Sequence, residues 1–301
     1  MFSRSCLFFA AVMLGVAPAL APAIAQQPAG APPPDIRQLM LEVQQHQKQL
    51  EKVRENYTYT SLETTEDVDA GGNVKKTKTE EDDNFFVNGH LIARTVARDG
   101  KPLAGHDLDK ENERVTKQVE KAEKTPPGQP LEGQTITVSR LLEIMDVRNP
   151  RRETFRGRPT IVFNFAGRKD AKTHGMAEDA SKKLEGTVWI DEADRQVAQL
   201  EVSFDSNFRL AGGLLATIQK GTHFQFDQAP VAIAGDEAPH SKAAAGDELW
   251  LPTGAEGTVQ ARLLLVKGIR QRFTERDYGF KRFSVETEQL KGAKAVPAKT
   301  P

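Results

Sequence analysis

From Tyr57 onward the chain is cut into short runs, rich in β-branched and aromatic residues and bounded by Gly, Asn and Asp. Such punctuation commits most of it to an antiparallel meander. Runs at 57–68 and 74–87 flank the turn Ala70-Gly71-Gly72-Asn73. Asn88-Gly89, where both residues tolerate positive φ, links the second run to a third at 91–98. Further strands are expected at 160–165, 184–191, 197–204, 222–226, 248–251, 258–266, 269–278 and 283–287. The links Asp191-Glu192-Ala193-Asp194 and Lys267-Gly268 suit hairpins and are too short for parallel crossovers. Alternation sets Ala198, Leu200, Val202 and Phe204 on the core side of one strand, opposite Val197, Gln199, Glu201 and Ser203. In the run 258–266, Leu263, Leu264, Leu265 and Val266 are apolar on both faces. That strand is either doubly covered or lines a cavity.

Three helical patterns interrupt the strands. Asp35 is placed as an N-cap, and behind it Ile36, Leu39, Met40, Val43, Leu50 and Val53 recur near helical spacing, predicting an amphipathic helix over 36–55. The charged stretch 107–124 carries Leu108, Val115, Val119 and Ala122 on one stripe, as a surface helix does. A short helix over 138–145 presents Val138, Leu141, Leu142 and Met145 to the core, and Asn149-Pro150 closes it.

The first 25 residues read as a secretory signal peptide: Arg4, an apolar run from Leu7 to Leu20, then Ala23-Ile24-Ala25 as a small-x-small cleavage site. Pro18 and Pro22 break the run, which falls short of the roughly 20 apolar residues needed to span a bilayer. The lone cysteine, Cys6, precedes the run, so a lipid anchor at the cleavage point is not expected. Removing 25 residues from 301 leaves 276 without a cysteine, so the core must hold without disulfides. Gln26 to Pro34 form a Pro/Ala tether, 35–288 a single domain, and 289–301 a Lys/Ala/Pro tail expected to be flexible.

Cleavage also removes Arg4, leaving 40 basic and 42 acidic side chains, a formal charge of −2. That balance offers no general attraction to nucleic acid. The six histidines, at 46, 90, 106, 174, 223 and 240, lack the short spacings of metal sites. Asp67, Asp69, Gly71, Gly72 and Asn73 are only faintly like a calcium loop, because Lys78 stands where a bidentate Glu is required; the plain reading is a polar hairpin tip. No nucleophile elbow, phosphate-binding loop or dinucleotide fingerprint occurs. The sequence thus predicts neither an enzyme nor a cofactor. Lys267, Arg270, Arg272, Arg276, Lys281 and Arg282 form a basic stretch, read as an exposed strand pair balanced by cross-strand acids rather than as an anion site.

The segment 207–218, apolar and broken by Gly212-Gly213, lies between two strands and is too apolar for an ordinary loop. It is either a helix tucked into the core or a mobile flap over an apolar pocket, the second kept open by the double glycine.

The order of elements, with Leu184-Glu185-Gly186-Thr187-Val188-Trp189-Ile190-Asp191, Leu200-Glu201, Gly212-Gly213-Leu214 and Lys220-Gly221-Thr222, resembles the bacterial outer-membrane lipoprotein-sorting (LolA/LolB-like) family. The resemblance covers most of 36–287 and is strongest at the Gly-x-Val-Trp-Ile-Asp strand and the Gly-Gly segment. It implies an α+β, mainly β fold: a curved antiparallel sheet, an incomplete barrel, closed by a few helices around an apolar interior. It further implies a periplasmic, non-catalytic carrier of lipid or lipoprotein acyl chains. The length and the charged helix near 107–124 depart from that pattern. The alternative is a cell-envelope scaffold or sensor that binds another protein through the same half-barrel. Candidate residues for an apolar cavity or its cover are Trp189, Phe204, Phe208, Leu210, Leu214, Leu215, Ile218 and Phe224. Trp189, mid-strand and large, is expected to pack against the core or cavity.

N-terminal sequencing of secreted material should begin at Gln26. A start before residue 20, or retention on membranes through a high-salt wash, would make the apolar run an anchor.

Overall fold

The computed structural model describes residues 35–127, 129, 131, 137–233, 248–264 and 267–282. The signal peptide, the tether, the strand expected at 283–287 and the tail lie outside them. In chain order the elements are α1 (Ile36–Arg54), β1 (Tyr57–Val68), β2 (Val74–Val87), β3 (His90–Arg98), β4 (Lys101–Pro102), α2 (Gly105–Lys124), α3 (Val138–Glu143), β5 (Met145–Phe155), β6 (Arg158–Gly167), α4 (Gly175–Ser181), β7 (Leu184–Asp191), β8 (Val197–Phe204), β9 (Phe208–Leu210), β10 (Ala216–Ile218), β11 (His223–Ala232), β12 (Glu248–Leu263) and β13 (Lys267–Arg282). The strands form one curved, unclosed antiparallel sheet in the order β4-β3-β2-β1-β13-β12-β11-β8-β7-β6-β5, with β10 pairing β12 and β9 pairing β10. This is the mainly β, α+β architecture expected. No helix among the described residues is long and apolar enough to cross a membrane.

The first helix starts where the sequence placed it. The Asp35 carboxylate accepts from the amides of Arg37 (2.9 Å) and Gln38 (3.3 Å), two donors the helix itself leaves unpaired. Its buried stripe is Leu39, Met40, Val43, Gln47 and Leu50, whereas Val53 is exposed. Gln47 tolerates complete burial because it donates to Gln196 (2.8 Å) and accepts from Gln228 (3.4 Å). With Leu141 and Leu142 of α3, the helix packs on Ile161, Phe163 and Phe165 of β6, Val188 and Ile190 of β7, and Val197 and Leu200 of β8, the main core. A second core joins Val115 and Ala122 of α2 to Phe85, Val87 and Ile92.

Four local expectations need correction. Val197 faces the core with Leu200, because Ile190 pairs Val197 while Trp189 pairs Gln199; Ala198 is the extra residue of a bulge, which reverses the alternation there. The strands expected at 248–251 and 258–266 are one 16-residue strand, β12. Asn149-Pro150 does not close α3 but sits inside β5, in the register break between Arg148 and Arg151, with Asn149 at φ 55. A proline and three arginines suit β5 to the sheet edge, where an unpaired N–H row must be blunted. Helix α4 was not foreseen.

Asp191, the buried end of the Gly-x-Val-Trp-Ile-Asp strand, shows how charge is carried inward. It accepts from Arg158 Nε (2.5 Å) and from the amides of Ala193 and Asp194. Burial pushes its pKa up, and the guanidinium and amide donors outweigh it, leaving it below the ordinary carboxylate value. Asp194 in turn accepts from the Trp250 indole (3.0 Å) and Arg158 Nη2 (2.6 Å).

Near the end of α1 the same accounting does not close. Arg54 lies among Tyr59, Asp277 and Glu51, and its Nε and Nη2 are buried without a hydrogen-bond partner, as are one oxygen each of Asp82 and Asp277. Register places Ser61 opposite both Asp82 and Asp277, and Glu63 opposite Glu275. Burial first, then the neighbouring Glu275, push the Asp277 carboxyl up to about 8; burial and Glu63 raise Glu275, and burial raises Asp82. A folded pKa above the unfolded value, about 4, means that this carboxyl favours the fold fully below about pH 4, and that the benefit is lost as pH climbs through 8. Thermal midpoints measured across that range should fall with rising pH in the wild type, and Asp277→Asn should flatten the slope. An identical slope in the variant would remove Asp277 as its source.

Candidate functional site

The side of the sheet that carries the main core continues past its helices. Val202 and Phe226 pack against that core. Val202 pairs Phe224, Phe224 pairs Gly257, and Gly257 pairs Phe273, so one rank crosses four strands on the α1 side. Advancing two residues at a time along β12 and β13 adds Val259, Ala261, Leu263 and Ile269 to the same face, together with one polar side chain, Gln271, opposite Val259. On β9 and β10 the matching residues are Phe208, Ile218, Leu210 and Ala216. All but Gly257 are half-buried. The result is a lane of apolar side chains running from the edge of the α1 core to one end of the sheet. The Phe224 and Phe273 rings meet at 6.0 Å across it. Gly257 makes that contact possible: a Cβ there would lie 2.8 Å from Phe273 Cε1 and 2.4 Å from the His223 carbonyl oxygen.

The lane ends in a hairpin. Residues 207–218 are neither a core helix nor a lid over an enclosed pocket: β9 and β10 pair through Phe208↔Ile218 and Leu210↔Ala216, and β10 extends the sheet on β12. Gly212 (φ 67) and Gly213 (φ 98) both occupy the left-handed region, so the double glycine supplies the turn. Beyond it Leu214 and Leu215 are 64 % and 61 % exposed. Leu264, 65 % exposed, stands beside them at φ 47, and its amide donates to the Leu215 carbonyl (3.0 Å). Left-handed backbone costs a residue with a Cβ about 1–2 kcal/mol.

The opposite face of this end is cationic. Arg209 pairs Thr217, Thr217 pairs Arg262, and Arg270 lies opposite Gln260. All three arginines are exposed, and none forms a salt bridge among the described residues. Cross-strand balance, expected for the whole basic stretch, holds at Arg272, which meets Glu66 at 3.0 Å.

Of the residues expected at the site, Phe208, Leu210, Leu214, Leu215 and Ile218 come together in the hairpin and Phe224 lies along the lane. Phe204 is buried, and Trp189 packs elsewhere, half-buried, 5.8 Å from the Phe155 ring in a small cluster with Leu50, Ala198 and Trp250. Phe273, Val259, Ile269 and Leu264 were missed. The doubly apolar run at 263–266 was the available signal for part of them.

The interior beneath α1 and α3 is packed with buried apolar side chains, Phe163, Phe165 and Ile190 among them. A cleft of about 380 Å³ remains between α1 and β5, lined by Ile36, Met40, Leu41, Leu142, Met145 and Val147 among others. A larger one, about 1120 Å³, crosses the middle strands. Most of its lining is polar, including Asn164, Thr187, Glu201, Gln225 and Glu256, which alternate with the apolar rank and face the other way. Asp69 ties the β1–β2 turn by accepting from the amides of Gly71 (2.8 Å) and Asn73 (2.9 Å), the geometry of a polar hairpin tip.

No family model matches the sequence, and no curated protein matches it. Among solved structures, an outer membrane lipoprotein-sorting protein domain from Vibrio parahaemolyticus is similar at 12 % identity and a TM-score of 0.36, covering 81 % of this chain and 92 % of its own. A DUF1329 family protein from Desulfovibrio piger shows 9 % identity and a TM-score of 0.32 over the same shares of each chain. MucB, solved in complex with MucA(peri), shows 10 % identity and a TM-score of 0.22, over 83 % of this chain and all of that one.

Proposed function

We propose that the protein binds lipid-like apolar groups, foremost the acyl chains of a lipid or lipoprotein, and acts without a covalent step as a carrier in the periplasm. The observation that carries this reading is the lane: a largely apolar, half-exposed face, interrupted at Gln271, on the same side as the core. Exposed apolar surface of this extent is costly in water and marks a binding face. Each methylene withdrawn from water contributes about 0.8 kcal/mol, so an alkyl chain laid along the lane needs no hydrogen bond to be held. The competing reading, an envelope scaffold that binds another protein, draws on the packed core beneath α1 and α3.

Titration of delipidated protein with a fluorescent fatty-acid probe should show saturable binding. The double variant Val259→Ser, Phe273→Ser should weaken it by about tenfold or more, since two apolar contacts are lost. Leu214→Ser with Leu215→Ser should leave the unfolding midpoint unchanged, because both side chains already face solvent. Absence of saturable binding to the wild type would transfer the function to the scaffold reading.

A further inference from the structure

The exposed end of the sheet combines two features that the lane alone does not require. The segments 207–220 and 258–272 hold six basic residues and no acidic one, in a chain whose overall charge is close to balanced. Their geometry sorts the two chemistries. Arg209, Arg262 and Arg270 stand on one face, Phe208, Leu210, Ile218 and Leu263 on the other, and Leu214, Leu215 and Leu264 project where the two turns end. On the neighbouring strand β1, Glu66 holds Arg272 and Asp67 accepts from Gln271.

From this arrangement we infer that the hairpin end docks on an anionic phospholipid bilayer surface, the three leucines entering the headgroup boundary and the three arginines meeting lipid phosphates. A surface-binding element needs an apolar edge of limited depth and a cationic flank, because neither suffices alone for stable attachment. A soluble apolar ligand would require the leucines and leave the arginines without a role. A second copy of this chain would bring the same three arginines to the interface, and their like charge opposes that pairing. Leu264 adds to the case, since a leucine held in the left-handed region and turned outward spends stability to present its side chain. This docking goes beyond the binding of single acyl groups and does not depend on it.

The test is flotation of the purified protein with vesicles of phosphatidylcholine alone and of phosphatidylcholine with 30 mol % phosphatidylglycerol, a composition of roughly one anionic lipid in three. The protein should float with the anionic vesicles and not with the neutral ones, and the interaction should weaken as salt is raised. Leu214→Ser, Leu215→Ser, Leu264→Ser combined, and separately Arg209→Gln, Arg262→Gln, Arg270→Gln combined, should each lower vesicle affinity by about tenfold or more. Both should keep the wild-type unfolding midpoint, and the arginine variant, whose side chains lie on the face opposite the lane, should also keep the wild-type affinity for the soluble fatty-acid probe. Failure of the wild type to bind anionic vesicles overturns the inference, as does equal binding to neutral ones or binding that either variant leaves intact. A wild-type dimer that the leucine variant dissociates also overturns it and assigns the surface to a second copy. If vesicles bind as expected while the soluble probe does not, the carrier reading fails and the docking stands.

Discussion

The pairing of β1 with β13 is the contact on which the rest of the molecule depends. Ten residue pairs, from Tyr57↔Arg282 to Asp67↔Gln271, join strands more than 200 residues apart in sequence. Without them the chain would hold two meanders, β4-β3-β2-β1 and β13 through β5, each with another exposed edge. Closing so long a loop costs configurational entropy before any contact is gained. It also determines where charge is trapped, since it brings Asp277 and Glu275 of β13 against Ser61 and Glu63 of β1, under the end of α1.

The ladder gives the sheet two unlike ends. At one, α1 lies over the β7–β8 turn: Gln47 reaches Gln196 and Gln228, His46 reaches the Asp194 carbonyl, and Trp250 closes the side. Polar contacts in that region are numerous, although the Gln228 side-chain oxygen is buried without a partner. At the other end β11, β12 and β13 run beyond the helices with half-buried apolar residues and a two-faced hairpin. Regions with fewer buried contacts open at lower cost than the core, and binding faces are drawn from them.

Much of the strand plan was legible because its signals are local. The bounds of β1, β2, β7 and β8 fall where alternation and turn residues put them, and Asn88 (φ 51) with Gly89 (φ 78) makes the tight turn between β2 and β3. What escaped had non-local causes. Arg148, Arg151 and Arg152 make β5 look like a loop, and only its place at the edge makes those charges acceptable. The bulge at Ala198 reverses which side Val197 faces, and no count of alternation along one strand can reveal the register of its partner. The segment 207–218, expected as a core helix or a flap, is a strand pair, because apolar content was equated with burial. Phe273 and Ile269 stayed hidden among the arginines of β13, where only pairing with β12 reveals an apolar rank.

The hydrogen bond from the Leu264 amide to the Leu215 carbonyl fastens two turns that belong to different hairpins. Ala216↔Leu263 then continues the fastening into regular strand pairing. The pair therefore acts as a single paddle rather than two fingers. A displacement of either leucine loop is transmitted directly into β12, whose other end carries Trp250 in the supporting cluster beside α1. One 16-residue strand, bulged at Thr253, thus connects the exposed tip to the cluster beside the first helix.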